Sequence, residues 1–142
     1  MQGEFSHQLD QKNRLRLPPR IKSELGERPV ATIISPLRIT LYSEEKWAAM
    51  RTKLDLVPQS DEAAFLSVLK IYGNTYELEF DPQGRAVLPE KLRKKAGVTK
   101  NIVTVGVGNH AQLWDEETYN KFIDADNDDY KSLLHPLKDY GI

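Results

Sequence analysis

The sequence contains no cysteine and no long apolar run. Without cysteine among its 142 residues, the chain has neither disulfides nor thiolate metal sites. No segment approaches the ~18 to 20 apolar residues that a membrane-spanning helix needs. Residues 1–4 also lack the basic and apolar regions of a signal peptide. We therefore expect a cytoplasmic globular protein that has no membrane partner.

The chain lacks a basic excess, because its formal net charge is −1. The charges are nevertheless segregated along the sequence. Segments 10–22 and 81–95 each carry five Lys or Arg residues, against one and two acids respectively. Segment 115–130 carries seven acids and one lysine. Since binding responds to the local charge of a surface, the net charge does not exclude a polyanionic partner.

The sequence contains an internal repeat. Residues 10–26 match residues 81–97 at an offset of 71, and residues 33–47 match residues 105–119 at an offset of 72. The identical pairs are Asp10/Asp81, Arg14/Arg85, Leu17/Leu88, Pro18/Pro89, Gly26/Gly97, Leu41/Leu113, Glu44/Glu116 and Glu45/Glu117. Such an ordered match indicates duplication, and the chain length favours one domain whose two halves share a core.

Each copy begins with a strand, a tight turn and a second strand. Alternating polarity in residues 4–9 and 76–80 predicts half-buried strands. Residues 81–84, Asp-Pro-Gln-Gly, have the composition of a type I turn, and Asn13 replaces the glycine in the first copy because asparagine tolerates a positive φ. In the strand at 14–17, leucines and arginines fall on opposite faces. The residues predicted to order the turns are Asp10, Asn13, Asp81 and Gly84.

Helices are predicted after both hairpins and between the copies. A short helix is expected to have Pro19 or Pro89 in its first turn, and a later helix is expected to be capped by Ser43 or Asp115. A third helix is expected to open at Ser60. The predicted inward residues of these longer helices are Trp47, Met50, Leu54, Ala64, Phe65, Val68, Leu69, Tyr72, Tyr119, Phe122 and Ile123.

These motifs together resemble the bacterial MraZ family, which consists of tandem relatives of the SpoVT/AbrB DNA-binding fold. The resemblance rests on two Asp-x-x-x-Arg turns, each followed by a strand and Leu-Pro, then an aromatic strand end and an acidic helix start. It implies an α+β fold in which two intertwined AbrB-like, swapped-hairpin halves form a small β-barrel with flanking helices and an internal pseudo-twofold. The expected segments are repeat 1 at 3–47, a helical connection at 48–73, repeat 2 at 74–123, and an acidic, weakly structured tail at 124–142.

The resemblance also implies a function. Members of this family are expected to be sequence-specific transcriptional regulators that bind double-stranded DNA and associate with the nucleoid. It further implies assembly into a ring-shaped homo-oligomer that recognises direct repeats upstream of the protein's own operon of division and cell-wall genes.

Cations near the two turns are the candidate DNA contacts, because a guanidinium suits both phosphate and the guanine edge. The predicted DNA-binding residues are Arg14, Lys12, Arg16, Arg85 and Arg20. A surface ion pair with Asp10 is the alternative role for Arg14. Val87 stands where the first copy has Arg16, so the first copy is expected to dominate DNA contact. The basic run at 91–95 is a solvated face or, alternatively, a phosphate or subunit contact.

Other chemistry has weaker support in the sequence. Asp10 and Asp81 occupy equivalent positions, but neither is followed by the Ser or Thr plus Gly of aspartic proteases. The histidines, His7, His110 and His135, show no metal-ligand spacing. We therefore expect no catalysis, no cofactor and no metal. The alternative function is a protein-interaction or assembly module without specific DNA binding.

Overall fold

The computed structural model describes residues 1–124 and 133–142. In chain order the elements are β1 (Glu4–Gln8), β2 (Arg14–Leu15), α1 (Pro19–Leu25), β3 (Val30–Thr32), β4 (Arg38–Tyr42), α2 (Glu44–Leu54), α3 (Glu62–Gly73), β5 (Tyr76–Glu77), β6 (Ala86–Val87), α4 (Glu90–Ala96), β7 (Asn101–Gly106), β8 (Ala111–Asp115), α5 (Glu116–Asp124) and a 3₁₀ helix (His135–Tyr140). Part of the predicted acidic tail, residues 125–132, lies outside the described residues. None of the described helices has the length and apolar character required to cross a bilayer.

Six strands form one antiparallel sheet in the order β1-β7-β8-β4-β3-β5. Each strand has a counterpart in the other copy: β1 corresponds to β5, β3 to β7, and β4 to β8. If each strand is replaced by its counterpart, the same strand order is obtained in reverse. The sheet therefore has the symmetry of the repeat. The first strand of each copy pairs with a strand of the other copy, β1 with β7 and β5 with β3. The two copies therefore build the sheet jointly.

The fold is α+β, as expected, but of the small β-barrel that the resemblance implies, no closed form is found in the part of the chain that is described. Strands β1 and β5 each have one neighbour and form opposite edges of the sheet. Strands β2 and β6 form a separate two-stranded ribbon, with Arg14 opposite Val87 and Leu15 opposite Ala86. Strands β2, β5 and β6 are only two residues long. They are too short for continuous strand pairing between the edge of the sheet and the ribbon.

The main core lies between the inner face of the sheet, the ribbon and helices α1 and α4. Equivalent positions of the two copies are buried together in it. The buried equivalent pairs are Leu15/Ala86, Leu17/Leu88, Ile21/Leu92, Leu25/Ala96, Ile39/Ala111 and Leu41/Leu113. Complete burial of a leucine or isoleucine side chain contributes about 1.5 to 3 kcal/mol. The duplicated apolar pattern is therefore the main source of stability for the shared core.

Helices α2 and α5 cover the opposite face of the sheet. Since Ile39 and Leu41 face the main core, strand alternation places Tyr42 on this second face. Trp47 of α2 packs on Tyr42 with 6.2 Å between ring centroids. In the second copy, Tyr119 of α5 packs on Trp114 at 5.6 Å. The aromatic residues exchanged between the copies thus make an equivalent contact in each.

Three details of the helices differ from the predictions. Helix α3 begins at Glu62, because the Asp61 side chain rather than Ser60 accepts a hydrogen bond from the helix start. Leu69 and Tyr72 on α3 are 59% and 37% exposed, since this helix buries little beyond Val68. On α5, Phe122 is 57% exposed and Ile123 49% exposed. Tyr119 reaches the sheet, whereas Phe122 packs beside the Trp114 ring at 5.0 Å.

Ser43 and Asp115 were predicted to cap the starts of α2 and α5. Ser43 caps α2 as predicted, with its Oγ accepting a hydrogen bond from the Lys46 amide at 3.2 Å. Asp115, the predicted cap of α5, lies at the end of β8. Its Oδ1 accepts hydrogen bonds from the amide and the hydroxyl of Thr99 at 3.1 and 2.7 Å. That carboxylate therefore fixes the loop after α4 against the end of β8.

Candidate nucleic-acid interface

The first turn is organised around the carboxylate of Asp10. Its Oδ1 accepts hydrogen bonds from the amides of Lys12 and Arg14 at 2.9 and 2.8 Å. Its Oδ2 accepts a hydrogen bond from Arg14 Nε at 2.6 Å. The Asn13 amide donates to the Asp10 carbonyl at 2.9 Å, and Asn13 has a φ of 58°. The turn thus holds both the backbone and the guanidinium of Arg14.

The second turn repeats this arrangement around Asp81. Its Oδ1 accepts hydrogen bonds from the amides of Gln83 and Arg85 at 3.0 and 2.9 Å, and its Oδ2 accepts one from Arg85 Nε at 3.1 Å. Gly84 occupies the position of Asn13, has a φ of 78°, and donates its amide hydrogen to the Asp81 carbonyl at 2.9 Å. An Asp and an Arg four residues apart therefore produce the same local structure twice.

Both turn carboxyls have pKa values below the ordinary value. For Asp10, desolvation would raise the pKa, but hydrogen bonds from Arg14 and Lys12 together with the Arg14 charge outweigh that effect and lower it. For Asp81, the hydrogen bond from the Arg85 amide is the largest cause of the lowered pKa, and desolvation opposes it. A proteolytic carboxylate dyad requires one strongly raised pKa. In both turns the pKa of the carboxyl is lowered instead, which keeps the carboxylate charged and suits a fixed ion pair.

The ribbon presents a basic outward face. Leu15 and Ala86 face the core, so their neighbours along the two strands face outward. Arg14 lies opposite Val87, and extending this register by one residue places Arg16 opposite Arg85. We call this set the basic ribbon face; it consists of Arg14, Arg16, Arg85 and Val87. Both copies contribute to it, and the copies differ where Arg16 is matched by Val87.

The cations of this face differ in how firmly they are held. The side chains of Arg14 and Arg85 are 24% and 28% exposed, and each is paired with the aspartate of its own turn. Arg14 Nη1 also lies 3.9 Å from Asp81 Oδ2, which connects the two copies. Arg16 is exposed, as is Lys12 at the tip of the first turn. The face therefore combines two preorganised guanidinium groups with the exposed guanidinium of Arg16, and Lys12 adds an exposed cation beside it.

Arg20, the fifth predicted contact, lies outside the ribbon. It is an exposed residue of α1 and lines a shallow depression beside the N-terminal residues Met1 and Gln2. The structure therefore brings four of the five predicted cations to the two hairpins and places the fifth on the adjoining helix.

The basic run on α4 is largely engaged in local contacts. Lys91 Nζ donates to the Gly73 carbonyl at 2.8 Å, and Arg93 Nε donates to the Leu88 carbonyl at 3.0 Å. Lys94 pairs with Glu90 at 2.9 Å. These contacts attach α4 to neighbouring segments and neutralise part of its charge. The run is consequently a weaker candidate for a polyanion site than the ribbon.

The sequence reasoning did not find the contact between Arg14 and the aspartate of the other copy. The repeat spacing contained no signal for it, because only the pairing of β2 with β6 brings the turns together. Across the described residues, no three His, Asp or Glu side chains are grouped so that they could hold a metal ion.

The fold and this site define an α+β protein of two interlocked copies, each carrying an Asp-Arg turn on a shared basic ribbon. The chain belongs to the MraZ family: the family model described as "MraZ protein, putative antitoxin-like" matches residues 1–67 and again residues 71–133. A relative from Clostridium tetani, named transcriptional regulator MraZ, is 32% identical over 140 residues, covering 99% of this chain and 98% of the relative. One of the same name from Halothermothrix orenii is 31% identical with the same coverage.

Proposed function

We propose that this protein is a transcriptional regulator that binds double-stranded DNA through the basic ribbon face. The observation that carries the proposal is the clustering of cations from both copies on one side of the ribbon. Lys12 and three arginines stand against the carboxylates of Asp10 and Asp81, which leaves a local charge of +2. The names of the curated relatives, transcriptional regulators, support the same function.

The residues would divide the work by their geometry. Asp10, Asn13, Asp81 and Gly84 order the turns and aim the guanidinium groups. A two-stranded ribbon fits the major groove, where an arginine can donate two hydrogen bonds to one guanine. Arg14, Arg16 and Arg85 are suited to that contact, whereas Lys12 and Arg20 are suited to phosphates at the groove edges. Binding would weaken with salt by a slope of about 0.9 per phosphate neutralised.

The target would be short direct repeats upstream of the protein's own operon of division and cell-wall genes, in the cytoplasm at the nucleoid. The two copies differ in their outward side chains, and this difference supports a direct repeat rather than a palindrome as the target. A ribbon with identical halves would favour a palindrome, but Arg16 of the first copy corresponds to Val87 of the second. The first copy would accordingly provide most of the DNA contacts.

Self-assembly into a ring would supply the affinity that a few cations cannot. Linking several binding sites raises the effective affinity by about 10² to 10⁴. Two exposed apolar patches on different helices support this assembly: Leu66 and Leu69 on α3, and Phe122 and Ile123 on α5. A contact between two different patches is heterologous and produces a ring when the rotation closes.

We further propose that the fold is of the swapped-hairpin kind, with repeats at 3–47 and 74–123, a helical connection at 48–73 and a tail at 124–142. The pairing of the first strand of each copy with the other copy supports this arrangement.

A gel-shift titration with DNA from upstream of the gene tests the proposed function. We expect specific retardation that weakens at higher salt and is reduced by Arg14→Ala and by Arg16→Ala. Arg51→Ala is the matched control, because Arg51 is an exposed arginine on α2, at the other face of the sheet. Equal loss in all three variants, or binding indifferent to DNA sequence, would refute specific recognition by the ribbon.

The exposed apolar patches also favour a second candidate function, an assembly module without specific DNA binding. In that case the basic turns would be subunit contacts. The same titration separates the two, since an assembly module would not retard its upstream DNA selectively even at low salt.

A further inference from the structure

Val87 is an exposed apolar residue in the middle of a basic surface. Its exposed fraction is 60%, whereas its neighbours Ala86 and Leu88 are buried. Arg14 lies directly opposite Val87 across the ribbon, and Arg85 precedes the strand that contains Val87. The equivalent position in the first copy is Arg16, also exposed. Val87 is therefore the one place where the basic ribbon face, as defined by its four residues, offers a methyl surface instead of a guanidinium.

A single exposed valine in a strand requires no functional explanation in itself. The charged residues around Val87 indicate what kind of partner it contacts. With Lys12 included, the arginines of this face exceed the charges of Asp10 and Asp81 by +2. That excess would repel a second copy of the same face, so Val87 is a poor centre for self-association. The partner that suits those charges is a polyanion. An apolar group on a polyanion-binding face needs an apolar counterpart on the polyanion.

Duplex DNA offers such a group in the major groove, the C5-methyl of thymine. Apolar side chains contact this methyl, whereas arginine prefers the guanine edge. Resting on the proposed DNA-binding function, we propose that Val87 recognises the methyl group of a thymine. Residues opposite each other in a ribbon are about 5 Å apart. Since bases along one strand rise ~3.4 Å per step, this thymine should lie within about two base pairs of a guanine contacted by Arg14.

The proposal assigns different tasks to equivalent positions of the repeat. Arg16 of the first copy would donate hydrogen bonds to a guanine or a phosphate, and Val87 of the second copy would contact a thymine. Replacing the valine removes methyl contact without changing charge. Replacing the thymine with uracil removes only the C5-methyl from the DNA. The two changes therefore act on the two sides of one contact, and they should not be additive.

The test uses the full chain and a duplex that it selects from a random library. Each thymine is replaced in turn by deoxyuridine, and the dissociation constant is measured by fluorescence anisotropy. With the unmodified protein, loss of one methyl should weaken binding by about four-fold, as expected for one buried CH₂-sized group. Val87→Ala, which removes both Cγ methyls, should weaken binding to the thymine duplex and reduce the thymine-to-uracil difference. Val107→Ala, which changes a 40%-exposed valine in the β7–β8 loop, should preserve that difference.

The outcomes separate this inference from the function on which it rests. A protein that selects a sequence but tolerates uracil at every position would overturn the role of Val87 and leave DNA binding intact. The same conclusion follows if Val87→Ala retains the full thymine-to-uracil difference. A protein that selects no sequence at all would overturn both proposals. Since Val87 is 60% exposed, its replacement by alanine should leave the fold intact, so a change in the thymine-to-uracil difference reports on the contact itself.

Discussion

At the candidate site, Arg14 contacts the aspartates of both copies of the repeat. Its Nε is held by Asp10 at 2.6 Å, and its Nη1 lies 3.9 Å from Asp81 of the other copy. Arg85 makes the equivalent bond to its own aspartate. A guanidinium fixed in this way has already lost much of its rotamer freedom, so less entropy is lost when it binds.

His7 should make folding sensitive to mild acid. Burial lowers its pKa from the ordinary 6.5, and its Nε2 is 2.7 Å from the hydroxyl of Thr104. Because the folded protein then binds fewer protons than the unfolded chain, stability should fall as the pH drops below about 6.5. His7→Gln should lose less stability than the unmodified protein between pH 7.5 and 5.5, as measured by urea unfolding.

His110 provides an independent comparison for that measurement. Burial and the charge of Arg38 also lower its pKa. His110→Gln should therefore remove a separate part of the same pH dependence, and the double variant should remove both parts. If His7→Gln and the unmodified protein lost stability in parallel over this range, a buried neutral His7 would be excluded.

Gly106 should tolerate no side chain. A Cβ at this position would lie 2.4 Å from the Gln2 amide nitrogen, because the N-terminal backbone crosses the end of β7. Overpacking of this kind costs about 1 to 3 kcal/mol. We expect Gly106→Ala to lower the free energy of unfolding by that amount in urea titrations. Gly73→Ala is the control, since a Cβ there meets no atom within 4 Å. Equal stability of the two variants would contradict the close approach.

The residue pattern anticipated the turns well, because their structure is local. In each turn an aspartate accepts hydrogen bonds from the amides two and four residues ahead, and the residue three positions ahead has a positive φ. Both features depend on only a few neighbouring positions. The Arg14–Asp81 contact could not be predicted in the same way. It depends on the pairing of two strands separated by about 70 residues, and the sequence gives no register for that pairing.

At the scale of elements, the ribbon should depend on its buried side. Leu15 is fully buried, and its partner Ala86 is also in the core. Leu15→Ala should lower the free energy of unfolding by about 2 to 5 kcal/mol, as is typical for a leucine deleted from a core. Val87→Ala, on the exposed face of the same ribbon, should change it by less than about 0.5 kcal/mol. Chemical denaturation followed by circular dichroism compares them, and equal losses would mean that the faces are wrongly assigned.

Helical periodicity was a poorer guide than strand alternation. The pattern placed four residues inward that are exposed in the structure: Leu69, Tyr72, Phe122 and Ile123. An apolar face predicts burial but does not say whether the covering surface belongs to the same chain. A closed barrel is absent from the described residues for a related reason, since closure depends on ladder length, and two-residue strands are too short to provide it.

At the scale of the whole molecule, the exposed helix faces lead to a prediction about assembly. Leu69→Glu on α3 and Phe122→Glu on α5 should each convert the proposed oligomer to monomer in sedimentation velocity runs, because a buried unpaired charge is costly. Gln59→Glu, which adds the same charge at an exposed loop position, should leave the oligomer unchanged.

Mixing the two charged variants tests whether the contact is heterologous. Each variant retains one intact patch, so an equimolar mixture should form dimers and no larger species. If each patch instead paired with itself, each variant alone would retain a dimer through its intact patch. That result would contradict a ring built from head-to-tail contacts.

Site-directed cleavage shows whether the basic ribbon face contacts duplex DNA. Since the chain contains no cysteine, a single introduced cysteine carries an iron chelate at one known place. The chelate at Gln83→Cys, in the second turn, should cut the DNA at defined positions within the bound site. The chelate at Ala49→Cys, exposed on α2 at the other face of the sheet, should leave those positions intact. Cutting from position 49 without cutting from position 83 would contradict the account.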